Sequence, residues 1–296
     1  MALVETIIPN HDPVPSLFSY RCAMSFFSTR QLFLREVSQP DRQINLELAA
    51  LYLAQEEYPD MDVAAYTAQL DHMAVNLKQR LPEVSYPLKV IQTVNRYLYD
   101  ELGYCGNRDN YYDPRNSFLN EVIDRRTGIP ISLALVYLAL ARRIDFPMVG
   151  VGLPGHFLIR PLVDEMEVFV DAFHQGEILF PQDCQERLNQ LYGRPIELQP
   201  TFLSPVSNRQ FLARMLGNLK GIYINQGQVD KALAAIERIL LLFPQAPGEL
   251  RDRGILYYRL NRLTEARQDL ATYLNLAPNA ADALAIQELL EMLQGS

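Results

Sequence analysis

The sequence predicts a helix-rich α+β core followed by an all-α array. Three observations carry this. Apolar residues recur at helical spacing from Asn45 to about Leu102. After Pro147 the pattern changes to short strand-like runs between turn residues. In the last third, matching residues return every 34 positions.

Residues 1–39 read as an N-terminal extension with an aromatic-rich stretch, Ser16 to Val37. It could be a docking arm for a partner; the expectation is a helix folded back on its own core. Leu46, Ala49, Ala50, Leu53 and Ala54 form the first helical stripe, and Tyr58-Pro59-Asp60 turns the chain. Asp62 is placed to cap the next helix, with Ala65, Leu70 and Met73 as its apolar positions. Pro87 opens another, with Val90, Ile91, Val94, Leu98 and Leu102 on one face and Gly103 as its stop.

Residues 103–116 form a polar, turn-rich loop. A helix is expected from Asn116-Ser117 to Arg126. The next, from about Ile131 to Arg143, is apolar on every side for most of its length. A helix without a polar face must be buried all round, so it should form the centre of the core. MVGVG, HFLIR and EVFVDAF then read as three strands of a small antiparallel sheet. The α+β core is placed at residues 40–195.

Tyr223 and Tyr257, Ala232 and Ala266, and Pro244 and Pro278 are each 34 residues apart. This is the tetratricopeptide period. A small Ala at the helix crossing permits close approach, the Tyr fills the space beside it, and the Pro ends the second helix. Residues 208–296 are expected to hold two such repeats and a capping helix. Two repeats are too few for independent stability, so the array should pack on the core.

Composition narrows the function. The 296 residues carry 27 Lys and Arg against 35 Asp and Glu, a net charge of −8. That balance disfavours a nucleic-acid surface, which needs clustered cations. The longest strongly apolar run, Ile129 to Ala141, is far short of the ~20 residues that span a bilayer. The N-terminus has neither a basic segment nor a continuous apolar one, so no signal peptide is expected. Three widely spaced cysteines, Cys22, Cys105 and Cys184, argue against a disulfide framework and for a reducing cytoplasm. The four histidines form no HxxxH pair, and Gly176 breaks the His174–Glu177 spacing. Neither a metal site nor a cofactor is therefore expected.

Several residues could carry chemistry. Asn107, Tyr111, Asn116 and Ser117 lie in or beside the polar loop, and Ser132 lies at the start of the buried helix. His156 opens one strand and Asp171 lies on the next. A nucleophile at a helix start, with a His and an Asp on neighbouring strands, is a layout for acyl transfer. The run GN-x₃-Y-x₄-NS-x₁₀-GIPISL, followed by G-x-P-G-H-F and F-x-D-x-F, resembles the transglutaminase-like core of the SirB family. The matching positions run from Gly106, Asn107 and Tyr111, through Asn116, Ser117 and Gly128 to Leu133, to His156 and Asp171. The resemblance implies a papain-like transglutaminase fold, with tetratricopeptide repeats behind it. It carries over only His156 and Asp171, as base and orienter.

One departure matters. The family's relatives place a Cys at the start of the central helix, whereas this chain has Pro130-Ile131-Ser132. Ser132 is the nearest hydroxyl, and a bland role satisfying a backbone N–H is expected for it. His156 and Asp171 could equally be a hydrogen-bonded pair tying two strands together. Cys105 reads as a plain loop residue. Asn107, Tyr111 and Asn116 are candidates to line a groove, although Asn also serves turns. Arg125-Arg126 and Arg142-Arg143 read as helix-end dipole partners. Arg214 and Asn218 could grip a peptide carboxylate, but no polar ladder continues in the second repeat. The expectation is a non-catalytic protein-interaction or regulatory factor, a pseudoenzyme core with a protein or peptide partner on the repeat array. The alternative is a peptidase, amidase or acyltransferase using His156 and Asp171 with a Ser or Cys nucleophile.

Overall fold

The computed structural model describes residues 29–83, 86–163 and 166–294. Most of the aromatic stretch, and Cys22 with it, lies outside the described residues. Its last part forms helix α1 (29–37), which buries Phe33 and Val37 in the core.

Helix α2 (Leu46–Glu57) starts where Asn45 accepts from the Leu48 N–H, and α3 (Val63–Lys78) where Asp62 accepts from the Ala64 N–H at 2.8 Å. These side chains satisfy donors that have no partner inside the first turn. Helix α4 (Pro87–Asn95) begins with its proline and widens into one π-helical segment, Arg96–Glu101. Gly103, at φ +75°, then turns the chain away.

Two-residue strands β1 (Cys105–Gly106) and β2 (Thr127–Gly128) pair in parallel and close the segment between them, which holds most of the polar loop and the helix after it. The helix expected from Asn116 begins later. A 3₁₀ turn at Pro114–Ser117 precedes α5 (Leu119–Arg125), because Pro114 and the Asp113 side chain first fix a tight turn. Helix α6 (Pro130–Arg143) is the predicted central helix. Every residue from Pro130 to Ala141 except Leu138 is buried. Its last turn is tied to α2, where Arg143 donates to the buried Glu47 at 2.8 Å.

Strands β3 (Met148–Val151), β4 (Leu158–Pro161), β5 (Phe169–Asp171) and β6 (Glu177–Leu179) form one antiparallel sheet in that order. Gly150 faces Ile159, Ile159 faces Val170, and Val170 faces Ile178. The sheet thus has one strand, β6, beyond the three expected. Helix α7 (Pro181–Tyr192) closes the sheet and ends at Gly193.

The array comprises α8 (Asn208–Asn225), α9 (Val229–Leu242), α10 (Pro247–Arg259), α11 (Leu263–Leu276) and α12 (Ala283–Gln294). Ala232 and Ala266 are fully buried at equivalent crossings, and Tyr223 and Tyr257 are buried beside them. Helix α8 belongs to both parts. Phe211, Leu212, Met215 and Leu216 enter the main core, while Leu219 and Tyr223 enter the core of the array. No helix among the described residues is long and apolar enough to cross a membrane.

Candidate functional site

His156 is positioned by a Pro–Gly turn. The His156 N–H donates to the Leu153 carbonyl at 2.9 Å, with Pro154 second and Gly155, at φ +75°, third. A left-handed third residue is what this turn requires, so glycine serves it without strain. Asp171 ends β5. Its Oδ1 accepts from the N–H groups of Phe173 and His174 at 3.0 and 3.2 Å, which starts a 3₁₀ turn. Gly176 closes that turn at φ +74°, where a Cβ would lie 2.2 Å from Asn95 Oδ1.

These two turns bring the side chains together. His156 Nε2 lies 2.7 Å from Asp171 Oδ2. An ionised carboxylate only accepts, so Nε2 carries a proton towards Asp171. His174 Nδ1 lies 2.8 Å from the same oxygen, and Arg187 on α7 donates to it at 3.0 Å. Arg187 also donates to Glu177 at 2.7 Å. Asp171 is wholly buried and His156 nearly so, while His174 is partly exposed.

Burial alone would raise the Asp171 pKa, but the hydrogen bonds and charges of His156 and His174 outweigh it and hold it at about 2. A carboxyl held below its unfolded value near 3.9 stabilises the fold above that value, and loses this contribution as pH falls through its folded pKa. Acid unfolding followed by circular dichroism should therefore show about 2 kcal/mol of stability lost between roughly pH 4 and pH 2, a loss reduced in Asp171→Asn.

Ser132 does not face this cluster. Its fully buried Oγ accepts from the Ile129 N–H at 3.0 Å and donates to the Asn116 carbonyl at 2.6 Å. It caps α6 and ties the polar loop to it. Among the described residues, no serine or cysteine lies within hydrogen-bond reach of the His156 ring. Cys105 is exposed on β1, its sulfur 3.6 Å from Thr127 Oγ1. Cys184 is buried in α7, and its thiol is pushed up to about 12, first by burial and then by the charge of Asp183.

The loop residues divide. Asn116 is wholly buried. It donates to the carbonyls of Asn110 and Tyr111 and accepts from Asn107 at 3.0 Å. Asn107 also accepts from the Asn110 N–H at 2.9 Å. Both amides staple the loop, Asn116 from a buried position and Asn107 from a half-buried one. Tyr111 is exposed, its ring edge-on to Phe173 at 6.0 Å, so it alone of the three borders the His156 cluster. From the array, Arg214 donates to the His156 carbonyl at 3.3 Å; Asn218 shows no such contact. An apolar cavity of about 420 Å³, bordered by Leu53, Leu219 and Tyr223, lies apart from the cluster where core meets array.

A central buried helix, a His–Asp pair formed by the turn before β4 and the end of β5, and a repeat array behind them define the architecture. The sequence model of the transglutaminase-like superfamily matches residues 64–217. The chain belongs to that superfamily. A tetratricopeptide repeat model matches residues 219–291 of this transglutaminase-like protein. It is 41% identical over 243 residues to a UPF0162 protein of Xylella fastidiosa (strain 9a5c), covering 81% of this chain and 86% of that one. A UPF0162 protein of Pseudomonas aeruginosa is 33% identical over 242 residues, with 82% and 88% covered. F-box only protein 21 of Homo sapiens is 30% identical over 190 residues, 60% of this chain and 29% of that one. No solved structure matches the chain.

The transglutaminase-like core holds two partners of Asp171 that sequence reasoning missed. His174 follows Asp171 by three residues, a spacing that a 3₁₀ turn brings onto one side. Arg187 carries no local signal, because only the packing of α7 on the sheet returns it to the cluster.

Proposed function

We propose that this protein is a non-catalytic protein-interaction factor, with a degenerate transglutaminase-like core as its rigid body and the repeat array as its partner surface. The observation that carries the reading is Ser132 Oγ, sealed in the core by its bonds to Ile129 and Asn116. The hydroxyl nearest the family's nucleophile position is already used to cap α6. Among the described residues, the His156 imidazole has no side-chain hydroxyl or thiol beside it to activate as a nucleophile.

The repeats support the second half of the reading. Ile224 and Tyr258 occupy equivalent positions, one repeat apart, and both are exposed large apolar residues. Two apolar side chains at matched register on the first helices form a short ladder for an extended or helical peptide. The charges nearby are largely used internally. Lys220 donates to Glu249 at 2.7 Å and to Asp252 at 3.0 Å, and Arg251 donates to Asp282 at 2.7 Å.

Affinity capture with full-length protein tests this. The wild type should enrich a defined set of proteins that the double variant Ile224→Asp, Tyr258→Asp loses while melting at a similar temperature. No enrichment at low salt, or enrichment indifferent to the double variant, would remove the reading. The SirB likeness and a cytoplasmic setting belong to the same proposal and rest on the sequence.

The 2.7 Å His156–Asp171 pair favours one alternative, a hydrolase or acyltransferase whose nucleophile reaches Nδ1 in another conformation.

A further inference from the structure

His174 Nδ1 has two neighbours that make opposite demands. It lies 2.8 Å from Asp171 Oδ2 and 2.8 Å from the Arg187 Nη1 donor. With a proton, Nδ1 meets the carboxylate but opposes the guanidinium N–H. Without one, it accepts from Arg187 but sets its lone pair against Oδ2. No tautomer satisfies both contacts. A cation seated between the Nδ1 and Oδ2 lone pairs removes the conflict by displacing Arg187.

The donor atoms suit such an ion. His156, Asp171 and His174 each offer one atom, all within 4.8 Å of one another. Ligands held at about 2.1 Å from one tetrahedral ion lie about 3.4 Å apart, so the two distances to Oδ2, 2.7 and 2.8 Å in the metal-free protein, open by roughly 0.6 Å to admit it. Two imidazoles and one carboxylate select zinc or iron-like ions over magnesium or calcium, which favour oxygen. Asp171 is fully buried, which strengthens its attraction for a cation. His174 is partly exposed, which gives an ion a way in and a position for water.

We propose that His156, Asp171 and His174 form a binding site for a divalent first-row transition-metal ion, with Arg187 as its place-holder in the metal-free protein. Arg187 Nη1 lies 3.0 Å from Asp171 Oδ2, close to the position the ion takes. Two cations that close repel, so Arg187 must leave as the ion enters. It has somewhere to go: Nη2 already donates at 2.7 Å to Glu177, which is half-exposed. The site goes beyond the interaction reading and does not depend on it.

Zinc titration of the full-length, chelator-stripped protein tests the site, with cobalt absorption to report ligand type. The expected result is one zinc per chain that persists in Cys105→Ser, with a cobalt spectrum lacking thiolate charge transfer. His174→Ala, chosen because its side chain is partly exposed and its fold can be checked by melting, should weaken zinc at least about tenfold. Arg187→Gln should tighten it by about tenfold. Absence of stoichiometric zinc, or binding that survives His174→Ala and disappears in Cys105→Ser, overturns the proposal. Zinc affinity unchanged or reduced in Arg187→Gln overturns the place-holder role.

Discussion

Asp171→Ala is expected to destabilise the protein by about 3–5 kcal/mol, measured by urea unfolding. The carboxylate is wholly buried and has five close polar neighbours. Oδ1 accepts from the N–H groups of Phe173 and His174, while Oδ2 meets His156, His174 and Arg187. Removing it leaves those neighbours facing a small cavity and Arg187 without its inner partner. Leaving a buried polar group unmet costs more than making the bond gains. Asp171→Asn keeps an acceptor for the two backbone N–H groups and should cost less, about 1–3 kcal/mol. A loss below about 1 kcal/mol in Asp171→Ala would mean that water replaces the carboxylate and that the cluster is open.

Phe211→Ala is expected to cost about 3–5 kcal/mol, and to lower the unfolding midpoint of core and array together. Phe211 is 1% exposed on the first half of α8, edge-on to Phe157 at 5.0 Å. Its ring also closes over Gly150, where a Cβ would come within 3.1 Å of it. Phe157 follows His156 directly, and Arg214, one turn along α8, holds the His156 carbonyl. One helix therefore supports the sheet, the His156 turn and the first repeat. Truncating it opens a cavity where all three meet. A single transition at lower denaturant, seen alike by circular dichroism and tyrosine fluorescence, is the expected result. Two separated transitions, with the repeats melting first, would show that the core stays folded without the array.

Much of this arrangement was legible in the sequence. The 34-residue register is strong because small, aromatic and proline residues repeat together, each under its own constraint. The all-round apolar character of Ile131–Ala141 marked the central helix, since no exposed helix can carry it. The Pro-Gly-His turn and the strand ending in Asp171 are local patterns; His156, expected to open a strand, lies in the turn just before β4, beside Asp171 at the end of β5. What escaped depends on packing. Asn107 and Asn116 are as suitable for a loop staple as for a groove, and only burial separates the two. Ser132 shows the same limit: its hydroxyl reaches Asn116 across sixteen residues of chain. The sequence read Gly176 as breaking the His174–Glu177 spacing but offered no other partner, and the turn there brings His174 to Asp171. The α8 helix, split between two cores, runs across any boundary drawn from repeat spacing alone.

The most direct test of the account asks what the His156 imidazole can activate. Full-length protein is treated with a fluorophosphonate and, separately, with a thiol-directed electrophile, and labelled residues are mapped by mass spectrometry. The account predicts no labelling at Ser132, and thiol labelling confined to exposed cysteine and indifferent to His156→Ala. Labelling of any serine or cysteine that disappears in His156→Ala would contradict it, because the imidazole would then have a nucleophile to serve.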